Sequence, residues 1–352
     1  MRAMNDILEN AAINSWIAAF ERAPHQKNKV HETDAEILEF ENTSSNLIAV
    51  TTDTIEEEIA QGLYTDPFTM GWMAVMANMS DLAAAAADPL GLLVSISWTS
   101  DCDNNFRSQV AQGIESACRQ LQVFLLGGDM NEAVSLSITG IAIGKVPRDR
   151  FLKRTGMRAG DIVYASGPLG IGNAYALARF TNADVIQEKD YRPIARLDAR
   201  NLLRQYATAC MDTSDGMMTT LDQLMRLNDI GFYIDAPEEV CLHPAVLQMA
   251  SQTGLNPWLF TAGIHGEFEL LFTVPQNKYK DFERDAAREA WQPVRLGRVI
   301  PTQAILLKHE TRVYKVNSEA IRNLNSQFNG DLSTYIQDIL SCFIKREDKH
   351  EN

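Results

Sequence analysis

The chain has 352 residues, 45% hydrophobic and 22% charged, the composition of a globular protein with room for two domains at roughly 100–200 residues each. A net charge of −14 repels nucleic-acid backbones and anionic lipid surfaces, so neither partner is expected, and a phosphorylated ligand would need a divalent cation to offset the repulsion. Five cysteines without a C-x-x-C pair point to reduced thiols and a cytoplasmic protein. The opening MRAMNDILENAAINSW does not read as a signal peptide, and Asp88, Pro89 and Gly91 interrupt the most apolar stretch, so no membrane span is expected.

In chain order, Leu8, Ala12, Trp16 and Phe20 recur at helical spacing, which predicts an amphipathic helix over 6–22. HQKNKVHETDAE reads as polar loop, and NLIAVTTD as a strand ending in Asp53. After a turn at Asp66-Pro67 comes a helix that ends before Pro89, then the buried strand LGLLVSISW. FRSQVAQGIESACRQLQ is a helix, and VFLLGGD and SLSITGIAIGKV are strands. A boundary falls near Val146–Arg150, dividing the chain into 1–147, 148–316 and a tail, 317–352. The second part opens with a short helix at FLKRTG, a strand, a glycine turn and a helix. DARNLLRQYA is helical, MDTSDGMMTTLDQLMRL is a loop running into a helix, and EFELLFTVP, QNKYKDFERDAAREA and VRLGRVI read as strand, helix and strand. The tail carries one amphipathic helix with Leu332, Tyr335, Ile336, Ile339 and Leu340. The fold class is mixed α/β in both halves.

The chemistry-bearing pattern is where aspartates fall. Asp53 and Asp129 end apolar runs, Asp212 and Asp215 follow Cys210-Met211, and Asp81 shares a helix face with Asn78. Aspartates at strand ends lie where loops gather, and converging carboxylates form a hard-oxygen site for Mg²⁺ and its phosphates. Each one alone is equally a helix cap or turn former. Gly127 and Gly128 free backbone amides to approach a phosphate, or form an ordinary turn. A phosphate would also suit the N-terminus of the helix after DIVYASGPLGIG. His265 is either a general base or a polar loop residue.

TTDTIEEE, DPFTMGWMAVMANMSDLAAAAADPL, GGD, GMRAGDIVYASGPLG, MDTSDGM and GEFELLFTVP follow one order from about residue 47 to about 300. That order resembles thiamine-monophosphate kinase and the aminoimidazole-ribonucleotide-synthetase-like (PurM-like) family. The resemblance implies an N-terminal α/β domain that dimerises through its sheet, a C-terminal α/β domain, and ATP over several Mg²⁺ ions between them. It implies metal ligands at Asp53, Asp81, Asp129, Asp212 and Asp215, with Asp53, Asp129 and Asp215 catalytic. Asn78, Ser80, Gly127, Gly128, Ser214 and Gly216 would bind the cofactor, and His265, Glu267 and Phe268 the substrate.

Two segments depart from the family pattern. The kinases carry Gly-Asp-Asp-Ala before the strand corresponding to LIAVTTD; this chain has EILEFENTSSN there and no glycine before Gly62, so two metal-binding aspartates are expected to be missing, with Glu39 or Glu41 as substitutes. Where the kinases have Gly-Gly-Glu-Asp-Tyr-Glu-Leu-Leu, Ile264 to Leu271 carries Gly266, Glu267 and Phe268 in place of Glu, Asp and Tyr. The expected function is an ATP- and Mg²⁺-dependent phosphotransferase acting on a small-molecule acceptor, as a homodimer in the cytoplasm. The alternatives are an ATP-dependent ligase or dehydratase of the same fold and a non-catalytic scaffold dimer.

Overall fold

The computed structural model describes residues 7–17, 22–39, 45–181, 186–263, 265–325 and 332–345. Two β-sheets organise it. The first is built from β1 (Glu36–Leu38), β2 (Asn46–Thr54), β3 (Asp88–Trp98), β4 (Leu125–Glu132) and β5 (Ser137–Pro147), in the order β1-β2-β5-β3-β4. Only β3 and β4 run parallel. Helices α1 (Leu8–Ile17), α2 (Glu56–Ala60), α3 (Pro67–Ala84) and α4 (Asn104–Leu121) accompany this half.

β5 shows why the sheet packs as it does. Ile138, Gly140, Ala142, Gly144 and Val146 alternate inward, so its buried face is mostly small, and α3 lies close against it. Asp66 starts α3 by accepting the Thr69 N–H at 3.0 Å, with Pro67 in the first turn. Fifteen of the 18 residues of α3 are buried, which makes it a central helix covered on nearly all sides.

The second sheet has eight strands: β6 (Ile162–Ala165), β7 (Ala209–Asp212), β8 (Gly231–Ile234), β9 (Leu270–Val274), β10 (Val294–Ile300), β11 (Ile305–His309), β12 (Arg312–Val316) and β13 (Phe343–Lys345). Their order is β13-β12-β11-β8-β10-β6-β9-β7, antiparallel except between β8 and β11. Its helices are α5 (Ile171–Thr181), α6 (Arg200–Tyr206), α7 (Met217–Asn228), α8 (Glu238–Cys241), α9 (Pro244–Thr253), α10 (Tyr279–Ala286), α11 (Ser318–Asn325) and α12 (Leu332–Ser341).

The two halves interlock through α3. Ser80 on α3 donates to Asp212 on β7 at 2.7 Å, and the Trp72 indole donates to the Pro193 carbonyl at 2.9 Å. From the second half, buried Glu188 accepts the backbone N–H groups of Thr65 and Asp66, both at 2.9 Å, and so fixes the entry to α3.

The structure corrects three local expectations. FLKRTG forms no helix: the Arg154 N–H donates to the Glu32 carbonyl at 2.7 Å and the Lys153 carbonyl accepts from the Cys210 N–H at 2.9 Å, so the segment threads between the 32–34 loop and β7. Gly127 and Gly128 are not in a turn, because β4 runs straight through them. A Cβ at Gly128 would lie 1.9 Å from the Val94 carbonyl oxygen, so this glycine serves strand pairing. The tail holds two helices and a strand rather than one helix; α11 docks on α7, where the Ser318 hydroxyl donates to Asp222 at 2.6 Å beside the fully buried Arg226–Asp222 pair at 2.7 Å.

Candidate active site

Three carboxylates meet where the two sheets face each other. Asp34, Asp81 and Asp212 each offer an oxygen, and these atoms all lie within 4.8 Å of one another. Asp81 comes from the last turn of α3 and accepts from the Thr51 hydroxyl of β2. Asp212 ends β7 and accepts from Ser80. Asp34 comes from the loop before β1; its side chain is only 1% exposed and pairs with Arg154 at 2.7 Å. Asp53, half-buried near the end of β2, and Glu58 on α2 complete the ring electrostatically.

The cost of this arrangement shows in the protonation equilibria. Burial first, and then the charges of Asp53, Asp212 and Asp34, hold the Asp81 carboxyl well above its ordinary value. Burial and the Asp34 charge push Asp212 up to about 8 and Asp53 up to about 6. Burial, with Asp215 and Asp53 nearby, raises Glu58 to about 7. The buried Glu58 Oε2 has no hydrogen-bond partner. Crowded, desolvated oxygen donors of this kind fit a hard divalent cation, which relieves the repulsion. Asp34, Asp81 and Asp212 would hold it, with Asp53 and Glu58 close by. Such a cation would supply charge neutralisation for a phosphate group.

The remaining expected residues divide. Asn78 and Ser80 are fully buried and support the site from behind. The Asn78 amide accepts the Asp53 N–H at 2.9 Å and donates to the Ala74 carbonyl at 2.9 Å, so it pins β2 to α3 rather than facing a nucleotide. Asp129 does not join the cluster within one chain. Asp53, Gly140, Val94 and Gly128 form one row across four strands, which puts Gly128 three strand spacings, about 14 Å, from Asp53. Asp129 is the next residue, exposed, and accepts from Asn131 at 2.9 Å. Ser214 and Asp215 lie half-buried in the turn before α7, and Gly216, at φ 84°, is the N-cap of that helix.

The proposed substrate residues are buried. His265, Glu267 and Phe268 are 2%, 4% and 7% exposed, so none of them presents a side chain to a substrate here. His265 sits among Tyr64, Tyr175 and Tyr191, its Nε2 3.1 Å from the Tyr64 hydroxyl. Burial lowers it to about 3, which removes it as a general base near neutral pH. Glu267 Oε2 accepts the Gly170 N–H at 2.8 Å, so the chain's own carboxyl occupies the approach to α5 that a phosphate was expected to take. The segment clamps the 213–216 turn: the Gly266 N–H donates to the Ser214 carbonyl at 2.7 Å, and a Cβ on Gly266 would lie 1.6 Å from the Thr213 oxygen. That contact explains glycine at this position.

Sequence reasoning missed Asp34, Arg154 and Glu58. Asp34-Ala35, just ahead of a strand, was the available signal for the first; its loop carries the aspartate that EILEFENTSSN lacks. Glu39 does not substitute, since Lys27 and Arg148 both bind it. Glu41 lies outside the described residues.

Two sheets joined by a buried helix, with carboxylates converging between them, define a mixed α/β protein of the PurM-like class. The sequence pattern of "AIR synthase related protein, N-terminal domain" matches residues 32–146. The chain is similar to this AIR-synthase-related family over those residues and to thiamine-monophosphate kinases over most of its length. It is 26% identical to the thiamine-monophosphate kinase of Aquifex aeolicus over 245 residues, 68% of this chain and 79% of that one. With the Pyrococcus horikoshii thiamine-monophosphate kinase it shares 25% identity over 316 residues, 89% and 95% of the two chains. A solved structure described as AaThiL complexed with AMPPCP and TMP superposes with a TM-score of 0.71 at 22% identity, covering 90% of this chain and 98% of that one. The Escherichia coli hydrogenase maturation protein HypE has the same fold, with a TM-score of 0.64 at 18% identity over 86% of this chain and 95% of that one.

Proposed function

We propose that the chain is an ATP- and Mg²⁺-dependent phosphotransferase acting on a small phosphorylated acceptor, with thiamine monophosphate the first candidate. The observation that carries this reading is the convergence of Asp34, Asp81 and Asp212, with Asp53 and Glu58 beside them, in a chain whose relatives are named thiamine-monophosphate kinase. Phosphoryl transfer needs positioning and charge neutralisation more than a general base. A site rich in buried carboxylates, with His265 withdrawn into the core, suits that requirement.

The chain's own residues divide the work. Thr51, Ser80 and Arg154 orient the carboxylates, and Asn78 fixes the strand that carries Asp53. The reading also takes the protein to be a cytoplasmic homodimer of two-domain chains, divided near residue 147. Five free, buried cysteines suit a reducing compartment. Strand β4 is an unpaired sheet edge on which Leu125, Leu126 and Met130 are 49%, 53% and 70% exposed, a surface that a second copy would cover.

The test is turnover of thiamine monophosphate with ATP and Mg²⁺, followed by ADP release, beside a calorimetric titration of Mg-ATP. Binding and ADP formation that both collapse in Asp81→Asn support the reading. A folded protein that binds no Mg-ATP at any Mg²⁺ concentration overturns it.

A further inference from the structure

The tail helix α12 faces α5 and the 3₁₀ turn Pro257–Thr261 across a joint that is not filled. The groove left there measures about 400 Å³ with its open mouth, and its deepest part holds about 40 Å³, room for about one water. Leu177 and Phe180 of α5 and Phe260 of the turn form one wall; Tyr335, Ile336 and Ile339 of α12 form the other. Asn173 of α5 is the buried polar group in the lining, 7% exposed, and its Nδ2 has no hydrogen-bond partner. Its Oδ1 accepts the His265 N–H at 3.1 Å, so the unpaired half is the donor. A Cβ on Gly216 would lie 2.6 Å from that Nδ2, which puts the groove against the turn that carries Asp215. Tyr335 reaches the same turn from α12: burial, and then the Asp215 charge, hold its hydroxyl above the ordinary value.

Packing and polarity both say that α12 is not the tightest occupant this groove could have. Protein interiors leave few gaps, and an unfilled gap and an orphaned donor each cost stability. A single water would bond Asn173 but then face carbon on the other walls, short of the about 2–4 polar partners that hold a buried water. The helix is also a span between two anchors. Ahead of it α11 docks on α7, and behind it β13 pairs with β12, Val316 opposite Phe343 and Tyr314 opposite Lys345.

We propose that α12 is a lid on the 214–216 turn: it covers the groove beside Asp215 and lifts between its two anchors to admit part of the acceptor. This rests on the proposed function and deepens it. The surface uncovered is apolar apart from one donor, so the part admitted is an uncharged group that offers Asn173 a hydrogen-bond acceptor.

Amide hydrogen exchange of the full chain without ligand, read peptide by peptide, tests the lid. α12 should exchange at least about 100-fold faster than α7 while the chain stays folded, and Ile336→Ser should speed α12 at least about another tenfold with α7 unchanged. Exchange of α12 at the rate of α7, or indifference to Ile336→Ser, overturns the proposal. With Mg-ADP present, thiamine monophosphate should slow α12 exchange in the wild type. In Asn173→Asp, which keeps the oxygen facing His265 and removes the donor, its KM should rise at least about tenfold with kcat within about twofold. A normal KM in folded Asn173→Asp overturns the groove as the acceptor's seat, and a wild type that turns thiamine monophosphate over with no change in α12 exchange overturns the lid. No turnover at all counts against the proposed function, and the ligand-free exchange contrast still decides the lid, so the two failures are distinguishable.

Discussion

Asp81 and Asp212 are held where folding alone would not put charge. Burial removes water from them and their neighbours repel them, so the Asp81 carboxyl is held well above its ordinary value and Asp212 keeps its proton up to about 8. Asp81→Asn and Asp212→Asn should therefore raise the Tm of the metal-free protein while weakening Mg-ATP at least about tenfold, measured by scanning calorimetry and by titration. Ser80→Ala, which removes only the hydroxyl on Asp212, should weaken Mg²⁺ about 10–100-fold with little change in fold. The pH dependence has a definite sign. Asp212 binds its proton up to about 8 when folded but only to 3.8 in its ordinary state, so between those values the folded chain holds more protons than the unfolded one. The metal-free protein should accordingly lose stability as pH rises from about 4 through about 8, with Asp53 and Glu58 contributing at about 6 and about 7. Mg²⁺ binding should release protons over the same range, detectable as a dependence of the binding heat on buffer ionisation enthalpy.

Among the elements, the 265–269 segment carries more of the site than its sequence suggests. It read as the start of a strand and as a substrate contact. Instead it is an irregular brace, with Phe268 at φ 58°, that locks the 213–216 turn against α5. Gly266→Ala should destabilise the fold by about 2–3 kcal/mol, because the new methyl meets a backbone carbonyl that cannot move aside, and urea unfolding would report it. The helix-and-strand order of the first half was legible because its signals are local: Asp66-Pro67 starts α3, and alternation marks β5. The FLKRTG helix failed because the segment's backbone bonds go to Glu32 and Cys210, partners remote in sequence.

For the whole molecule, the open edge is β4. All eight of its residues are exposed, and Phe124 and Val134 beside it are 74% and 102% exposed. A strand edge with this much apolar surface is an assembly surface or a hazard. The dimer reading expects the wild type to run as twice its monomer mass by light scattering, and Leu126→Lys with Met130→Lys to shift it to monomer. A dimer would also give Asp129 a second chain to act with, the one place where its separation from Asp53 ceases to matter.

The sequence by itself determined the order of the longer elements of the first half, the α/β class, and three of the five acidic residues now near the centre: Asp53, Asp81 and Asp212 were found, Asp34 and Glu58 were not. Those found lie at the ends of strongly patterned elements, where local physics places them. Asp34 sits in a polar loop, marked only by its place just ahead of a strand, and Arg154 in a stretch that read as a helix and is not one. Tertiary structure alone decided that these two meet, because a carboxylate buried there needs a guanidinium beside it to offset the hydration both have lost. It also decided that Asp129 stays away, since three strand widths of hydrogen-bonded sheet cannot be crossed by a side chain.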